Sequence, residues 1–196
     1  DVMVSQGKTS FKSFPTYSFG NDAEHFYSEE YSLFSGPLDG EGNVMVGFDP
    51  IKDLSANQML SATFSTKVFE PGGDFSITSS KAMLSPCERY VGVEMPETES
   101  KYGKYYFTNR DWKFPIAVVK ENGELATSTI PLSYQLYKLD GYWWWSSEDA
   151  YSLKKYVRGT YKNPEQRGTL TCNNGKPALS LNVPNDKWGL YLLVVT

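Results

Sequence analysis

Histidine and cysteine are scarce in this sequence. Its 196 residues include one histidine, His25, and two cysteines, Cys87 and Cys172. Structural zinc sites and histidine-dependent nucleophiles need several such residues at defined spacings. The chain also has no Gly-x-Ser-x-Gly elbow, no glycine-rich phosphate loop and no His-Glu-x-x-His helix. We therefore expect no enzyme activity, no catalytic residue, no metal site and no cofactor, with His25 an ordinary loop residue.

Positive charge and long hydrophobic runs are scarce as well. The net charge is −4, whereas a nucleic-acid surface needs clustered lysine and arginine. The one basic cluster, Lys154, Lys155 and Arg158, is interpreted as a solvated face. The longest apolar run, Leu190–Val195, is far shorter than the roughly 20 residues of a membrane-spanning helix. We expect no nucleic-acid partner and no membrane span within this chain.

The two ends of the sequence look like cut ends. No initiator methionine or signal-peptide pattern is found at Asp1, and the last residues stop inside a strand-like run. We therefore expect a piece of a longer protein.

Aromatic residues are abundant, at 15% of the chain, and favour strands over helices. In the first half, apolar and polar residues alternate from Leu60 to Val68, and Glu70–Gly73 then turns the chain back into Phe75 and Ile77. A period of two is typical of a strand with one face in a core. This pattern predicts a β-hairpin, with Phe64 in the core.

Similar signals follow in the second half. An apolar strand is predicted at 115–120, a turn at 121–124 and an alternating strand from Ile130, with Leu132 in the core. The alternation changes phase at Tyr137, which predicts a bulge before residue 143. Two further strands are predicted at 178–183 and 188–195. Residues 150–157 are compatible with a short helix or an extended segment.

Two domains are predicted from a repeated pattern. Residues 36–48 have the pattern of two strands joined by a glycine-rich turn. A similar pattern begins at Gly168, about 130 residues later. Between them, the polar stretch Met95–Ser100 contains a proline and reads as a linker. We expect an all-β chain of two tandem antiparallel β-sandwich domains, at 1–95 and 102–196, joined by a linker at 96–101.

Three consecutive tryptophans, Trp143, Trp144 and Trp145, form the most unusual stretch of the chain. In a strand, the first and third would face one side and the second the other. Tryptophan is common in cores and also enriched where proteins meet partners. The three residues are therefore candidates for packing at a domain interface, which is the commoner role, or for a platform that binds a sugar or a protein partner.

Several of these stretches, in this order, resemble bacterial alpha-2-macroglobulins. The first domain carries the resemblance in Gly36–Val44 and in Leu60–Gly73, whose end matches a Val-x-x-Pro-Gly-Gly hairpin. The next domain carries it in Phe114–Gly123, in Leu132–Tyr137, in the Tyr142–Trp145 cluster and in the closing hairpin Gly168–Tyr191. The resemblance covers nearly the whole chain, as two consecutive macroglobulin domains of the fibronectin-like sandwich kind.

That resemblance implies a part in trapping proteases. In the family's mechanism a protease cuts an exposed bait segment, the protein collapses around it, and a thioester in a later domain can bond to it. The sequences after Cys87 and Cys172 do not match the Cys-x-Glu-Gln thioester motif, and no bait segment is evident. The resemblance thus implies a non-enzymatic scaffold fragment of a protease inhibitor, without a thioester.

The resemblance also implies where the parent protein acts and what it meets. The expected partners are neighbouring domains of the parent chain and, through the full-length protein, target proteases. A periplasmic or cell-surface location is implied, with the parent anchored to a membrane. Two other classes stay open: a surface carbohydrate-binding module that uses Trp143–Trp145, and an adhesion module that adds a strand to a sheet edge.

Overall fold

The computed structural model describes residues 1–20, 26–70, 72–98, 105–139 and 163–196. These residues form an almost entirely β structure in which every strand pairing is antiparallel. The strands are β1 Val2–Gln6, β2 Tyr17–Phe19, β3 Glu29–Tyr31, β4 Leu60–Phe69, β5 Phe75–Leu84, β6 Arg89–Glu94, β7 Trp112–Lys120, β8 Ile130–Leu139, β9 Gln166–Cys172, β10 Ala178–Leu181 and β11 Leu190–Val195. The described residues also contain a short helix, α1 Asp49–Lys52, and a 3₁₀ turn, Asn185–Lys187.

The chain divides into two compact units. The first contains Asp1–Lys8 and Phe26–Cys87, and the second contains Thr9–His25 and Glu88–Thr196. The segment 96–101, expected from sequence to be a linker, falls in the second range, and residues 99–101 lie outside the described residues. The position of the domain boundary stays a prediction, for which a protease test is given below.

The first unit is built on one four-stranded sheet in the order β3-β1-β4-β5. The predicted hairpin is confirmed, since β4 pairs with β5 from Leu60 opposite Leu84 to Phe69 opposite Phe75. Alternation along β4 places Leu60 and Ala62 in the core, while Phe64 is half-buried beside them. The other members of this core are Val2, Val4 and Ile51.

The predicted strands at 36–48 are absent from the structure. Instead, Asp39 closes a tight turn: its Oδ1 accepts the backbone N–H of Glu41 at 3.0 Å and of Asn43 at 2.7 Å. Such local side-chain bonds compete with strand pairing, and Met45 is 95% exposed. The repeat is therefore wrong as a structural match, because Gly168 lies within strand β9.

The second unit contains two sheets, β10-β7-β6-β2 and β11-β8-β9. Their facing sides share one apolar core, and this packing makes the unit a β-sandwich. The buried members of that core are Phe114, Ile116, Val118, Ala126, Leu132, Leu136, Cys172, Leu179 and Leu181. The turn predicted at 121–124 is confirmed: the Lys120 N–H donates to the Glu124 carbonyl, and Gly123 has φ +84°.

The bulge predicted in β8 does not occur as far as Leu139. Pairing with β9 is continuous from Ile130 to Leu136, and pairing with β11 is continuous from Tyr134 to Leu139. The phase shift arises because β8 carries apolar residues on both faces near its end: Leu136 lies on one, and Tyr137 and Leu139 on the other. No inserted residue is needed to explain it.

An aromatic cap, Phe11–Phe19, covers the outer side of the four-stranded sheet of the second unit. Phe11 and Phe14 are each 7% exposed. The Phe11 ring packs edge-on against Phe19, with centroids 4.8 Å apart, and Phe19 lies over Gly92 of β6. The chain bends at Pro15, where the Phe14 and Tyr17 N–H groups form turn hydrogen bonds instead of ladder bonds.

Candidate functional site

The predicted site residues Trp143, Trp144 and Trp145 lie outside the described residues, together with residues 150–157 and the basic cluster. His25 lies outside them too. The assignment of the tryptophans to an interface or a binding platform therefore stays a prediction. The described strands on either side of them define the end of the sandwich to which they are tethered.

Strand β8 ends and strand β9 begins at this end of the sandwich. Leu139, the last residue of β8, pairs with Leu190, the first residue of β11. On the returning chain, the Glu165 N–H donates to the Leu136 carbonyl at 2.9 Å, and the Glu165 carboxylate binds the Lys187 ammonium at 2.5 Å. This hydrogen bond raises the pKa of Lys187. The segment that carries the tryptophans therefore starts and ends beside the start of β11.

Two loops at this end are joined by polar contacts. The Asn109 N–H donates to the Val183 carbonyl at 2.8 Å, and the Asn182 side-chain amide donates to Asp111 Oδ1 at 2.8 Å. The Thr108 hydroxyl donates to the Asn185 side chain. Asn109 holds a left-handed conformation at φ +53°, which asparagine tolerates better than most residues. These hydrogen bonds hold the two loop backbones together.

Exposed rings project from the same loops. Trp188 is 76% exposed, Tyr105 67% and Phe107 63%, and we call these three residues the exposed aromatic end. Trp112 differs from them, because its indole N–H donates to the Phe107 carbonyl at 2.9 Å and Arg110 stacks 4.6 Å from its ring. The exposed aromatic end can stack on a partner or a sugar.

Sequence reasoning placed Trp188 at the start of the closing strand and did not single out Tyr105 or Phe107. The sequence nevertheless contains a pattern that indicates their exposure. Both precede the polar run Thr108–Asp111, which is typical of a surface loop. An aromatic residue beside such a run is a candidate for exposure.

Neither cysteine has the surroundings of a reactive thiol. Cys172 is completely buried in the sandwich core, and burial raises its pKa. Cys87 donates a hydrogen bond to the Ala56 carbonyl at 3.1 Å, and burial raises its pKa as well. Because the thiolate is the nucleophile, a raised pKa lowers reactivity. Both thiols are free of disulfides.

The described residues contain neither a side-chain cluster suited to a metal ion nor a membrane-spanning helix. No group of three or more histidine, cysteine, aspartate or glutamate side chains there is arranged to hold a metal ion. Among those residues no helix has the length and apolar character needed to cross a membrane.

Two family models match the chain in tandem. The bacterial alpha-2-macroglobulin MG5 domain matches residues 1–86, and bacterial macroglobulin domain 6 matches residues 92–196. The second match alone covers more than half of the chain. Comparison with curated proteins finds no match.

Solved structures of bacterial alpha-2-macroglobulins share the fold. Trypsin-activated alpha-2-macroglobulin from Escherichia coli matches with a TM-score of 0.59 at 16% identity, over 99% of this chain and 13% of that one. A Salmonella alpha-2-macroglobulin mutant, Y1175G, matches with a TM-score of 0.57 at 20% identity, again over 99% and 13%. The chain thus spans about an eighth of the length of these relatives.

The two family matches follow one another in order along nearly all of the sequence, and the fold agrees with them. The chain therefore belongs to the bacterial alpha-2-macroglobulin family and contains its MG5 domain followed by its macroglobulin domain 6.

Proposed function

We propose that the chain is a non-enzymatic scaffold segment of a bacterial protease-trapping inhibitor. In such a trap, a protease cuts a bait segment elsewhere in the parent, and the parent then closes around it. The scaffold domains would transmit this closure and form part of the cage wall. They need rigid cores and complementary surfaces rather than a reactive group.

The observation that carries this proposal is the tandem match to two consecutive macroglobulin domains. The chemistry of the chain agrees with it. Cys87-Glu-Arg-Tyr and Cys172-Asn-Asn-Gly do not match the thioester motif, and both thiols have a raised pKa. The reactive steps of the trap are therefore assigned to other domains of the parent.

The same proposal includes partners and location. Neighbouring domains of the parent would be the direct partners of this chain, and target proteases would be met through the full-length protein. The parent would work in the periplasm or at the cell surface, anchored to a membrane outside this chain.

The test uses the full-length parent and a broad-specificity protease. After the two are mixed, protease activity is measured on a small peptide substrate and on a large protein substrate. A caged protease keeps its activity on the peptide and loses it on the protein. Retention of both activities would contradict entrapment.

A second candidate function is glycan binding, which the exposed aromatic end favours. Exposed rings such as Trp188 and Phe107 are suited to stacking on sugar faces. Tryptophan fluorescence would be titrated with soluble polysaccharides, using wild-type protein and the Trp144→Ala and Trp188→Ala variants. Saturable quenching that either variant removes would establish glycan binding. Absence of quenching would contradict glycan binding and favour a scaffold role for these residues.

A further inference from the structure

Strand β5 is a ten-residue edge strand in the first unit. It lies at one end of the order β3-β1-β4-β5 and pairs with β4 on one side. On its other side, no strand within the described part of the chain pairs with it. All of its residues up to Met83 are exposed.

The hydrogen-bond register identifies which backbone groups of β5 are free. The Glu70 N–H donates to the Asp74 carbonyl, so the pair Glu70–Asp74 is hydrogen-bonded. In an antiparallel ladder such pairs alternate with pairs whose N–H and C=O groups point away. Continuing the register from this pair, the even-numbered residues of β5 bond to β4 and the odd-numbered ones face the open edge.

A contact on the opposite side of β4 agrees with this assignment. There the Ser65 N–H donates to the Asp1 carbonyl, in line with β1. Odd residues of β4 therefore bond to β1 and even ones to β5. The edge residues of β5 are Phe75, Ile77, Ser79, Lys81 and Met83.

This edge has few of the features that normally prevent strand addition. Natural edge strands are commonly short, bulged, interrupted by proline or charged. Here the pairing with β4 is regular over its whole length, and Lys81 is the one charged residue in β5. Phe75, Ile77 and Met83 are 57%, 55% and 53% exposed. Such a strand is a template for another.

An apolar cleft lies on the other face of the sheet, at the end of β5. Its volume is about 450 Å³. The side chains of Ala82 and Leu84 lie on the same face of the sheet as the core residues Ala62 and Leu60 opposite them, and they form one side of the cleft. The half-buried Phe64 lies next to them. The remaining lining residues are Phe48, Ile51, Lys52, Leu54, Leu60, Ser85 and Pro86.

We propose, building on the scaffold role above, that β5 accepts an extended segment of the same parent polypeptide from outside this chain. The segment would add as a fifth strand, with backbone bonds to the odd-numbered residues. Its inward side chains opposite Ala82 and Leu84 would be apolar and enter the cleft. On the outer face an acidic side chain would meet Lys81, and apolar ones would meet Ile77 and Met83.

Two observations favour this occupant. The chain covers 13% of the length of its solved relatives, so in a parent of that size most of the polypeptide is available to supply the strand. The edge also carries a positive charge, because Lys81 is the one charged residue of β5, whereas Lys52 beside the cleft is paired with Asp49 at 3.5 Å. A mostly apolar segment with one acidic residue opposite Lys81 complements both the edge and the cleft.

The test is amide hydrogen exchange, measured by mass spectrometry with residue-resolving fragmentation. The isolated chain and the full-length parent are compared. Amides of Ile77, Ser79 and Lys81 are expected to exchange at least about tenfold more slowly in the parent. The internal controls are the amides of Thr78 and Ser80, which bond to β4 and are expected to be protected in both.

A proline variant tests the role of the edge directly. Ser79→Pro removes an outward N–H without removing a bond to β4, and Ser79→Ala keeps that N–H as the matched control. In the parent, the proline variant is expected to release the protection at Ile77 and Lys81, while the alanine variant retains it. In the isolated chain, both variants are expected to keep the protection of the β4-bonded amides.

Two results would overturn the proposal. Equal, fast exchange of the odd-numbered amides in chain and parent would show a free edge. Protection that appears in the isolated chain and grows with its concentration would identify a second copy as the occupant. Neither result bears on entrapment, which the assay with small and large substrates decides. Conversely, protected edge amides in a parent that fails to trap proteases would contradict the trap role and leave the strand addition standing.

Discussion

Leu132 shows how a single side chain reports on the sandwich core. It is 3% exposed and belongs to the core that the two sheets of the second unit share. Its burial follows from the alternation of β8, which the sequence makes visible. The same type of alternation in β4 predicts Phe64 in the core, yet its side chain is half-buried because it lines the open cleft of the first unit.

Truncation of Leu132 should therefore destabilise the second unit strongly. We expect Leu132→Ala to lower the free energy of unfolding by about 2 to 5 kcal/mol, from lost apolar contact and a residual cavity. Leu190→Ala is the matched control, since Leu190 is 50% exposed, and it should change stability by less than about 1 kcal/mol. Urea denaturation measures both. A loss below about 1 kcal/mol for Leu132→Ala would mean that the inward face of β8 is assigned incorrectly.

Cys172 should make stability depend on alkaline pH. Burial raises its pKa above the ordinary value of 9.0, so the folded state holds the thiol proton more tightly than the unfolded state. The contribution of the protonated Cys172 thiol to the free energy of unfolding is therefore complete below the pKa of the unfolded state. It is lost as the pH rises through the pKa of the folded state. Urea denaturation from pH 8 to pH 10.5 should show falling stability, with a smaller fall in Cys172→Val. An equal fall in both proteins would contradict this origin.

At the scale of elements, the sequence predicts strands well where the period of two is uninterrupted. The alternation from Leu60 to Val68 predicts β4, and the turn at 121–124 predicts the connection after β7. Residues 36–48 show the same type of signal, but Asp39 uses its side chain to satisfy backbone N–H groups locally. Alternation cannot reveal that competition, because it depends on side-chain hydrogen bonds.

The aromatic cap is another element that pattern alone does not reveal. Phe11, Phe14, Tyr17 and Phe19 look like strand residues around a proline, whereas most of this segment is a turn that packs on a sheet. Its target becomes visible with the fold, because Gly92 leaves room for the Phe19 ring. A β-carbon at Gly92 would lie 2.4 Å from a carbon of that ring.

Removal of the cap should destabilise the second unit. Phe11 is 7% exposed and contacts the rings of Phe19 and Tyr90. We expect Phe11→Ala to cost about 3 to 5 kcal/mol, as for other buried phenylalanines. Phe107→Ala, at a side chain that is 63% exposed, is the matched control and should cost little. If the two variants melt at the same urea concentration, the cap does not stabilise the sheet.

At the scale of the whole molecule, the two family matches meet between residues 86 and 92. The segment Thr9–His25, however, belongs to the second unit, although it lies in sequence between two parts of the first. Hydrophobic periodicity finds strands but not which unit each strand joins, since that depends on long-range pairing such as β2 with β6. The triple tryptophan illustrates another limit. Its spacing is compatible with interface packing and with sugar binding, and only a binding measurement separates them.

Limited proteolysis tests the predicted linker. We expect the first cut at 96–101, where the sequence is polar and contains a proline. Cleavage sites would be read by mass spectrometry of early fragments. A first cut within β4, at Leu60–Val68, would contradict the division, because that strand pairs with β5 along its length and with β1 from Leu60 to Phe64.

We propose that this chain is scaffold and that trapping belongs to the assembled parent. The direct measurement places the isolated chain and the full-length parent side by side with one protease, with small and large substrates. We predict that the isolated chain leaves both activities unchanged, while the parent abolishes cleavage of the large substrate and spares the small one. Inhibition of small-substrate cleavage by the isolated chain would show that it blocks a protease active site itself, and would contradict the account.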